Sequence, residues 1–189
     1  MQRLAQGDEA ALEQLYDRWS KPLVNFLYGM CSDRALAEDL MQEVFVKVWR
    51  AAPRYQPLAK FSTWLFQIAR NHWLNVREKK LRRIQPVSMD GGRAKSDGES
   101  GQLKYAIDSG EKPPEDHVLA GELGERIQAA VAALPEKYRD VWVLGAAQGL
   151  PYQEVSEILE IPVGTVKSRM YQAVRLLRAD LERYAPEAG

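Results

Sequence analysis

Between Val163 and Ala179 the chain carries Lys167, Arg169, Arg175 and Arg178, four cations with no acidic residue among them, interspersed with Thr165, Ser168 and Gln172. Guanidinium, ammonium, amide and hydroxyl groups in one short stretch are the set that hydrogen-bonds base edges and phosphate oxygens. If the stretch is a recognition helix, Lys167, Ser168, Arg169 and Gln172 stand at the end that meets bases, while Arg175 and Arg178 are placed for phosphate. Thr165 is expected as the N-cap, at a helix end that itself favours an anion.

The surrounding residues support such a helix. Tyr152 to about Leu159 puts Val155, Ile158 and Leu159 on one face, and Pro162-Val163-Gly164 closes that helix and opens the next, so the two must meet at an angle. Val166, Met170, Val174, Leu177 and Leu181 then form one apolar stripe, expected to be buried. The pattern is a helix-turn-helix, and the ligand class that it implies is DNA.

Formal charge hides this. The 189 residues hold 26 Lys or Arg against 26 Asp or Glu, a net charge of zero. Position is more telling than the total: residues 60 to 83 hold seven Lys or Arg against one Glu, and residues 84 to 125 hold nine acidic residues against four basic ones. Nucleic acid would be drawn to the first segment and repelled by the second.

Several classes are excluded. No apolar run approaches the roughly 18 residues of a membrane span, and the N-terminus lacks a signal-peptide core, so a cytoplasmic location is expected. Cys31 has no cysteine partner and only His72 and His117 accompany it, which leaves no structural zinc site and no cofactor constellation; Cys31 is expected to be a small core residue.

Helical periodicity dominates from Asp8 to about Arg77. Leu12, Leu15, Tyr16 and Trp19 share a face, Pro22 permits a fresh helical start, and Ser32-Asp33 caps a helix over Ala35 to Ala51 whose inward stripe is Leu36, Leu40, Val44 and Val48. Pro53 and Pro57 interrupt the pattern before Phe61 reopens it. Between Gln85 and about Pro114 glycine, proline, serine and acidic residues replace the periodicity, as in a flexible linker. The pattern resumes at Val118 with Leu119, Leu123, Ile127, Ala130 and Leu134, and Leu134-Pro135-Glu136 separates that helix from the next. The expected fold is all-α: two small helical domains joined by a flexible linker, the C-terminal one a helix-turn-helix. The expected divisions are 1–85, an acidic linker over 86–117, and 118–189.

Lys60 to Arg83 interleaves Phe61, Trp64, Phe66 and Trp73 with Arg70, Asn71, His72, Arg77, Lys79 and Lys80. Aromatic faces stack unpaired bases and cations track the strand, which is single-strand chemistry. Phe61, Trp64 and Ile68 also fit a buried stripe, whereas Asn71 lies on another face, where its amide is suited to reading a base displaced from the stack.

Four segments in order, Asp39-Leu40-Met41-Gln42-Glu43-Val44-Phe45-Val46-Lys47-Val48-Trp49, Phe61-Ser62-Thr63-Trp64-Leu65-Phe66-Gln67-Ile68-Ala69-Arg70-Asn71, Leu134-Pro135-Glu136-Lys137-Tyr138-Arg139 and Val163-Gly164-Thr165-Val166-Lys167-Ser168-Arg169, resemble bacterial sigma factors of the extracytoplasmic-function group, in the sigma-70 family. The match spans about 170 residues and breaks in the linker. The resemblance implies a promoter-specificity subunit of RNA polymerase. Asp39, Gln42 and Glu43 would contact the coiled coil of the polymerase's largest subunit. Tyr55, Lys60, Phe61, Trp64, Arg70, Asn71, Arg77 and Lys80 would melt and read the −10 element as single strand. Thr165, Lys167, Ser168, Arg169, Tyr171, Gln172 and Arg175 would read the duplex −35 element, with Gln172 standing where related proteins often have a basic residue. The acidic linker would follow the nascent RNA path. An anti-sigma factor, often membrane-tethered, would control the protein and hold it at the inner membrane face. The chain starts almost at its first helix, so no DNA-masking region is expected ahead of it.

Three other readings compete. An ordinary helix-turn-helix regulator would bind duplex DNA without polymerase, but has no need of the aromatic and basic 60–83 segment. A nucleic-acid enzyme would need more than Asp39 and Glu43 on one helical turn, since neither a histidine nor a metal-ligand cluster joins them. A pure adaptor is the third reading. No enzymatic activity and no small-molecule substrate are expected.

Overall fold

The computed structural model describes residues 1–84 and 118–182, and every regular element among them is helical. The linker expected over 86–117 lies outside the described residues. Helices α1 (Gln2–Ala5), α2 (Glu9–Cys31), α3 (Arg34–Ala51) and α4 (Phe61–Ile84) form one unit; α5 (Val118–Ala133), α6 (Glu136–Trp142), α7 (Tyr152–Leu159) and α8 (Val163–Glu182) form the other.

Local chemistry sets the helix ends. The Asp8 carboxylate accepts from the Ala11 amide and begins α2; Asp33 accepts from Leu36 at 3.0 Å and begins α3. Each satisfies an amide that the first helical turn leaves without a partner. Ser32 closes α2 in the left-handed region at φ 55°, and Glu160 closes α7 at the same φ.

Pro22 does not start a new helix, contrary to the sequence expectation: α2 runs through it without a break. A proline inside a helix costs one hydrogen bond and about 3 kcal/mol. Leu23, Val24, Phe26 and Leu27, all buried directly after it, offset that cost by holding both halves of α2 against α3 and α4.

The first unit's core joins Leu23, Phe26 and Leu27 of α2 with Leu40, Val44 and Val48 of α3 and Leu65, Phe66 and Ala69 of α4. Phe26 and Phe66 meet edge to face with centroids 5.2 Å apart. In the second unit, Val141 and Leu144 pack with Val155 and Ile158 of α7 and Val166, Met170, Ala173 and Leu177 of α8.

α8 corrects the sequence reading at two points. Ala173, not Val174, continues the buried stripe; Val174 is 46% exposed, because steps of four, three and four residues from Val166 track the 3.6-residue period toward Ala173 and Leu177. Thr165 is not the N-cap: α8 begins at Val163, so Pro162 stands before the helix three residues earlier than expected, and its carbonyl accepts from the Thr165 and Val166 amides. In α5, Ala130 and Val131 are buried but Ile127 is 39% exposed.

A wide π turn, Val143–Ala147, follows α6 and ends at Gly149, whose φ of +67° favours glycine. The turn between α7 and α8 is pinned by the Ser156 hydroxyl, which donates to the Ile161 carbonyl at 2.6 Å. No helix among the described residues is long and apolar enough to cross a membrane.

Candidate nucleic-acid interface

α8 presents its polar face outward. Lys167, Ser168, Tyr171 and Arg175 are exposed, with Thr165, Arg169 and Gln172 half-buried beside them. Tyr171 is 68% exposed, an unusual amount of aromatic surface in water and a natural stacking or methyl-contact group. Lys167, Arg169 and Arg175 make no ion pair with any described residue, so the positive charge of this face is available. Arg178, expected to meet phosphate, lies 2.8 Å from Glu182 one turn on, an exposed pair worth little in water.

Tyr55, Phe61 and Trp64 gather where α4 begins. Their rings are half-buried and mutually tilted, Tyr55 lying 4.8 Å from Trp64 and 6.4 Å from Phe61 between centroids. Tyr55, Pro57, Phe61 and Ser62 line one side of an open cleft of about 930 Å³, with Trp19 and Arg18 of α2 opposite. Two aromatics of the same segment are unavailable for stacking: Phe66 is 2% and Trp73 7% exposed, because their positions fall on the stripe of α4 that faces α2 and α3.

The cations near and along α4 have a different fate from those on α8. Lys60 lies 2.6 Å from Glu154 of α7. Arg70 places Nε and Nη2 at 3.1 and 3.0 Å from Asp140 of α6, and Arg77 lies 2.7 Å from Glu136. Gln67 donates to Glu160 at 3.0 Å. Asn71 and Lys80 are exposed. These carboxylates belong to the second unit, and composition does not single them out.

Electrostatics at these contacts follow depth. The Glu154 hydrogen bond holds the Lys60 ammonium above its usual value, though Lys60 remains 72% exposed and the pair is heavily screened. Asp140 is 4% exposed, and burial raises its carboxyl above the usual range against the opposing pull of Arg70. Arg139 bridges the units, donating to the Met30 carbonyl of α2 at 3.3 Å and to Leu134 at 3.1 Å.

On α3, Asp39, Gln42 and Glu43 are exposed on one face, as their spacing predicts. Glu43 also lies 2.7 Å from Nε2 of buried His72, whose proton affinity is lowered first by burial and next by Lys47. Two apolar residues on this face escaped the sequence reading: Val46 is 48% and Trp49 37% exposed. Steps of four and three from Gln42 were the available signal. Cys31 is buried as expected. Among the described residues no group of His, Cys, Asp and Glu could hold a metal ion.

Comparison with known proteins gives these faces a context. Residues 15–83 match Sigma-70 region 2 and residues 124–177 match Sigma-70, region 4. The chain is 33% identical to the ECF RNA polymerase sigma factor SigW of Bacillus subtilis, over 96% of this chain and 94% of that protein. It is 30% identical to the ECF RNA polymerase sigma-E factor of Escherichia coli, over 92% of this chain and 87% of that one. The solved structure of the sigma factor RpoE in complex with the anti-sigma factor NepR, from Bartonella quintana, superimposes with a TM-score of 0.68 at 25% identity, covering 90% of this chain and 96% of that one.

Proposed function

The chain belongs to the extracytoplasmic-function RNA polymerase sigma factors, and from that premise we propose a division of labour among its faces. The protein is a promoter-specificity subunit that directs transcription initiation and performs no catalysis of its own. Residues 1–85 act as the polymerase-binding and −10 unit, 118–189 as the −35 unit, and 86–117 as the connector. Asp39, Gln42 and Glu43, with Val46 and Trp49, bind core polymerase: charge at the rim and apolar surface beside it is a composition suited to a protein contact.

α8 reads the duplex −35 element through Lys167, Ser168, Arg169 and Gln172 at base edges, with Thr165, Tyr171 and Arg175 around them. Tyr55, Phe61 and Trp64 stack the melted −10 strand, Lys60, Arg70, Arg77 and Lys80 follow its phosphates, and Asn71 reads a flipped base. The observation that carries this reading is the cleft beside Tyr55 and Phe61, with aromatic walls and room for a base out of the stack. Base capture offsets an unstacking cost of a few kcal/mol. Two modest readers held on one polymerase gain occupancy from effective concentration.

An anti-sigma factor that covers the α3 face would keep the protein from polymerase; if that factor is membrane-tethered, the sigma factor waits at the inner membrane face and otherwise works in the cytoplasm. The test is run-off transcription on a promoter library by core polymerase with and without the protein. Defined start sites that appear only with it, downstream of paired −35 and −10 elements, are expected. Initiation unaffected by substitutions on both DNA faces would discard the assignment of residues.

A further inference from the structure

His72 stands beside Asn71 in the basic segment of α4, yet it belongs to none of the three binding faces. It is 8% exposed, and its Nε2 reaches α3, 2.7 Å from a carboxylate oxygen of Glu43, whose side chain is 63% exposed. The approach is short but out of line, so the buried Nε2 has no hydrogen bond to any described residue. An unpaired buried ring nitrogen costs its desolvation, and such groups are almost always partnered in folded proteins. Glu43 is the acceptor placed beside it. A turn of that exposed carboxylate completes the bond, while close packing holds the ring still.

The pairing is also selective. Glu43 and Lys47 stand four apart on α3, the spacing and order at which a helix pairs a carboxylate with an ammonium. Arg34 and Glu38 of the same helix do meet at that spacing, at 2.6 Å. Glu43 leaves Lys47 aside and turns to His72. The charged groups facing the ring are Glu43 and Lys47 of α3 and Lys79 of α4. Burial first, and Lys47 after it, lower the proton affinity of His72, so at pH 7 the ring meets Glu43 as a neutral donor and leaves the carboxylate its full charge.

We propose that His72 is a positioning residue for the polymerase contact: from inside the first unit it holds the Glu43 carboxylate at the α3 face and keeps it from folding onto Lys47. This rests on the assignment of Glu43 to that contact. The rigid partner is buried and the mobile one exposed, so the constraint runs from the ring to the carboxylate. A glutamate fixed before binding has less rotamer freedom to lose when polymerase docks. Released, Glu43 would pair with Lys47 and withdraw both charges from the face that Asp39 and Gln42 share.

The test is the affinity of the full chain for bacterial core polymerase, titrated without DNA, with helical signal and melting temperature recorded for every variant. His72→Leu fills the space without a donor, and His72→Asn brings an amide no farther than the place of Nδ1; both release Glu43. His72→Gln sets its amide nitrogen where Nε2 stands and donates as the ring does. Glu43→Ala removes the carboxylate, alone and combined with His72→Leu.

Glu43→Ala is expected to bind about fivefold more weakly, and His72→Leu and His72→Asn about threefold, the effect of freeing one rotamer-rich side chain. His72→Gln should bind as the parent does, and His72→Leu should add nothing to Glu43→Ala. A core residue without a positioning role gives another pattern: His72→Gln as damaging as His72→Leu, or the same loss in a chain that lacks Glu43, and either result overturns the proposal. So do donor-free variants that bind like the parent while Glu43→Ala is weakened. Unchanged binding by Glu43→Ala instead removes Glu43 from the polymerase contact, and the proposal falls with that assignment.

Discussion

The two basic helices of this protein are built from similar residues and left in opposite states. α8 turns Lys167, Arg169 and Arg175 toward water with no acidic partner among the described residues, while near and along α4 Lys60, Arg70 and Arg77 are each met by a carboxylate. Basic composition therefore states what a face can bind, and the acids packed against it decide whether that face is open.

The contrast can be broken at several points. Arg169→Ala should have the largest effect, a loss of roughly 1–3 kcal/mol or about 5- to 150-fold in affinity for a −35 duplex, in the free chain as much as in the polymerase complex. Electrophoretic mobility of both forms measures it; an effect confined to the complex would mean that α8 is not open. Asn71→Ala should lower open-complex formation by about tenfold, read as permanganate reactivity at the −10 element, because a lost base contact costs on the order of 1–3 kcal/mol. The same substitution should leave free-chain duplex binding and polymerase binding untouched, and a change in either would contradict its place at the −10 strand.

Lys167→Ala should act more weakly, reducing the slope of log affinity against log salt by about one if Lys167 meets phosphate, with little change in sequence preference. A changed preference at one base would move Lys167 to a base contact. The smallest effect concerns neither DNA face. Burial pushes the Cys31 thiol up to about 11, from an ordinary 9.0. Above pH 9 the unfolded chain loses this proton first, so the group's contribution to stability is whole below pH 9 and declines between pH 9 and 11. Thermal melting across that window should fall less steeply for Cys31→Ala than for the parent.

Much of this was legible before any coordinates. The caps at Asp8 and Asp33, the helix-turn-helix and the exposure of Asp39, Gln42 and Glu43 follow from local spacing, and local spacing is what a helix obeys. The four motifs led to the family, which the relatives matched over nearly the whole chain show; those relatives, rather than the helix-turn-helix, displace the ordinary duplex-binding regulator.

Misses occurred where local rules compete with packing. Pro22 carries a strong helix-start signal and α2 ignores it, because the core around Phe26 and Leu27 fixes one continuous axis. Val174 and Ile127 are apolar at nearly the right angle, and only the position of the neighbouring helices shows that they face outward. Phe66 and Trp73 belong to the same aromatic series as Phe61 and Trp64, yet only the latter pair retains surface, and Phe61 lines the cleft.

By itself the sequence determined an all-helical chain with two basic faces, since periodicity, caps and charge signs are properties of neighbours along the chain. Which carboxylates answer which cations belongs to the tertiary structure alone. Lys60 and Glu154 are separated by 94 positions and Arg70 and Asp140 by 70, and no local pattern couples residues so distant until packing brings their helices within hydrogen-bonding reach.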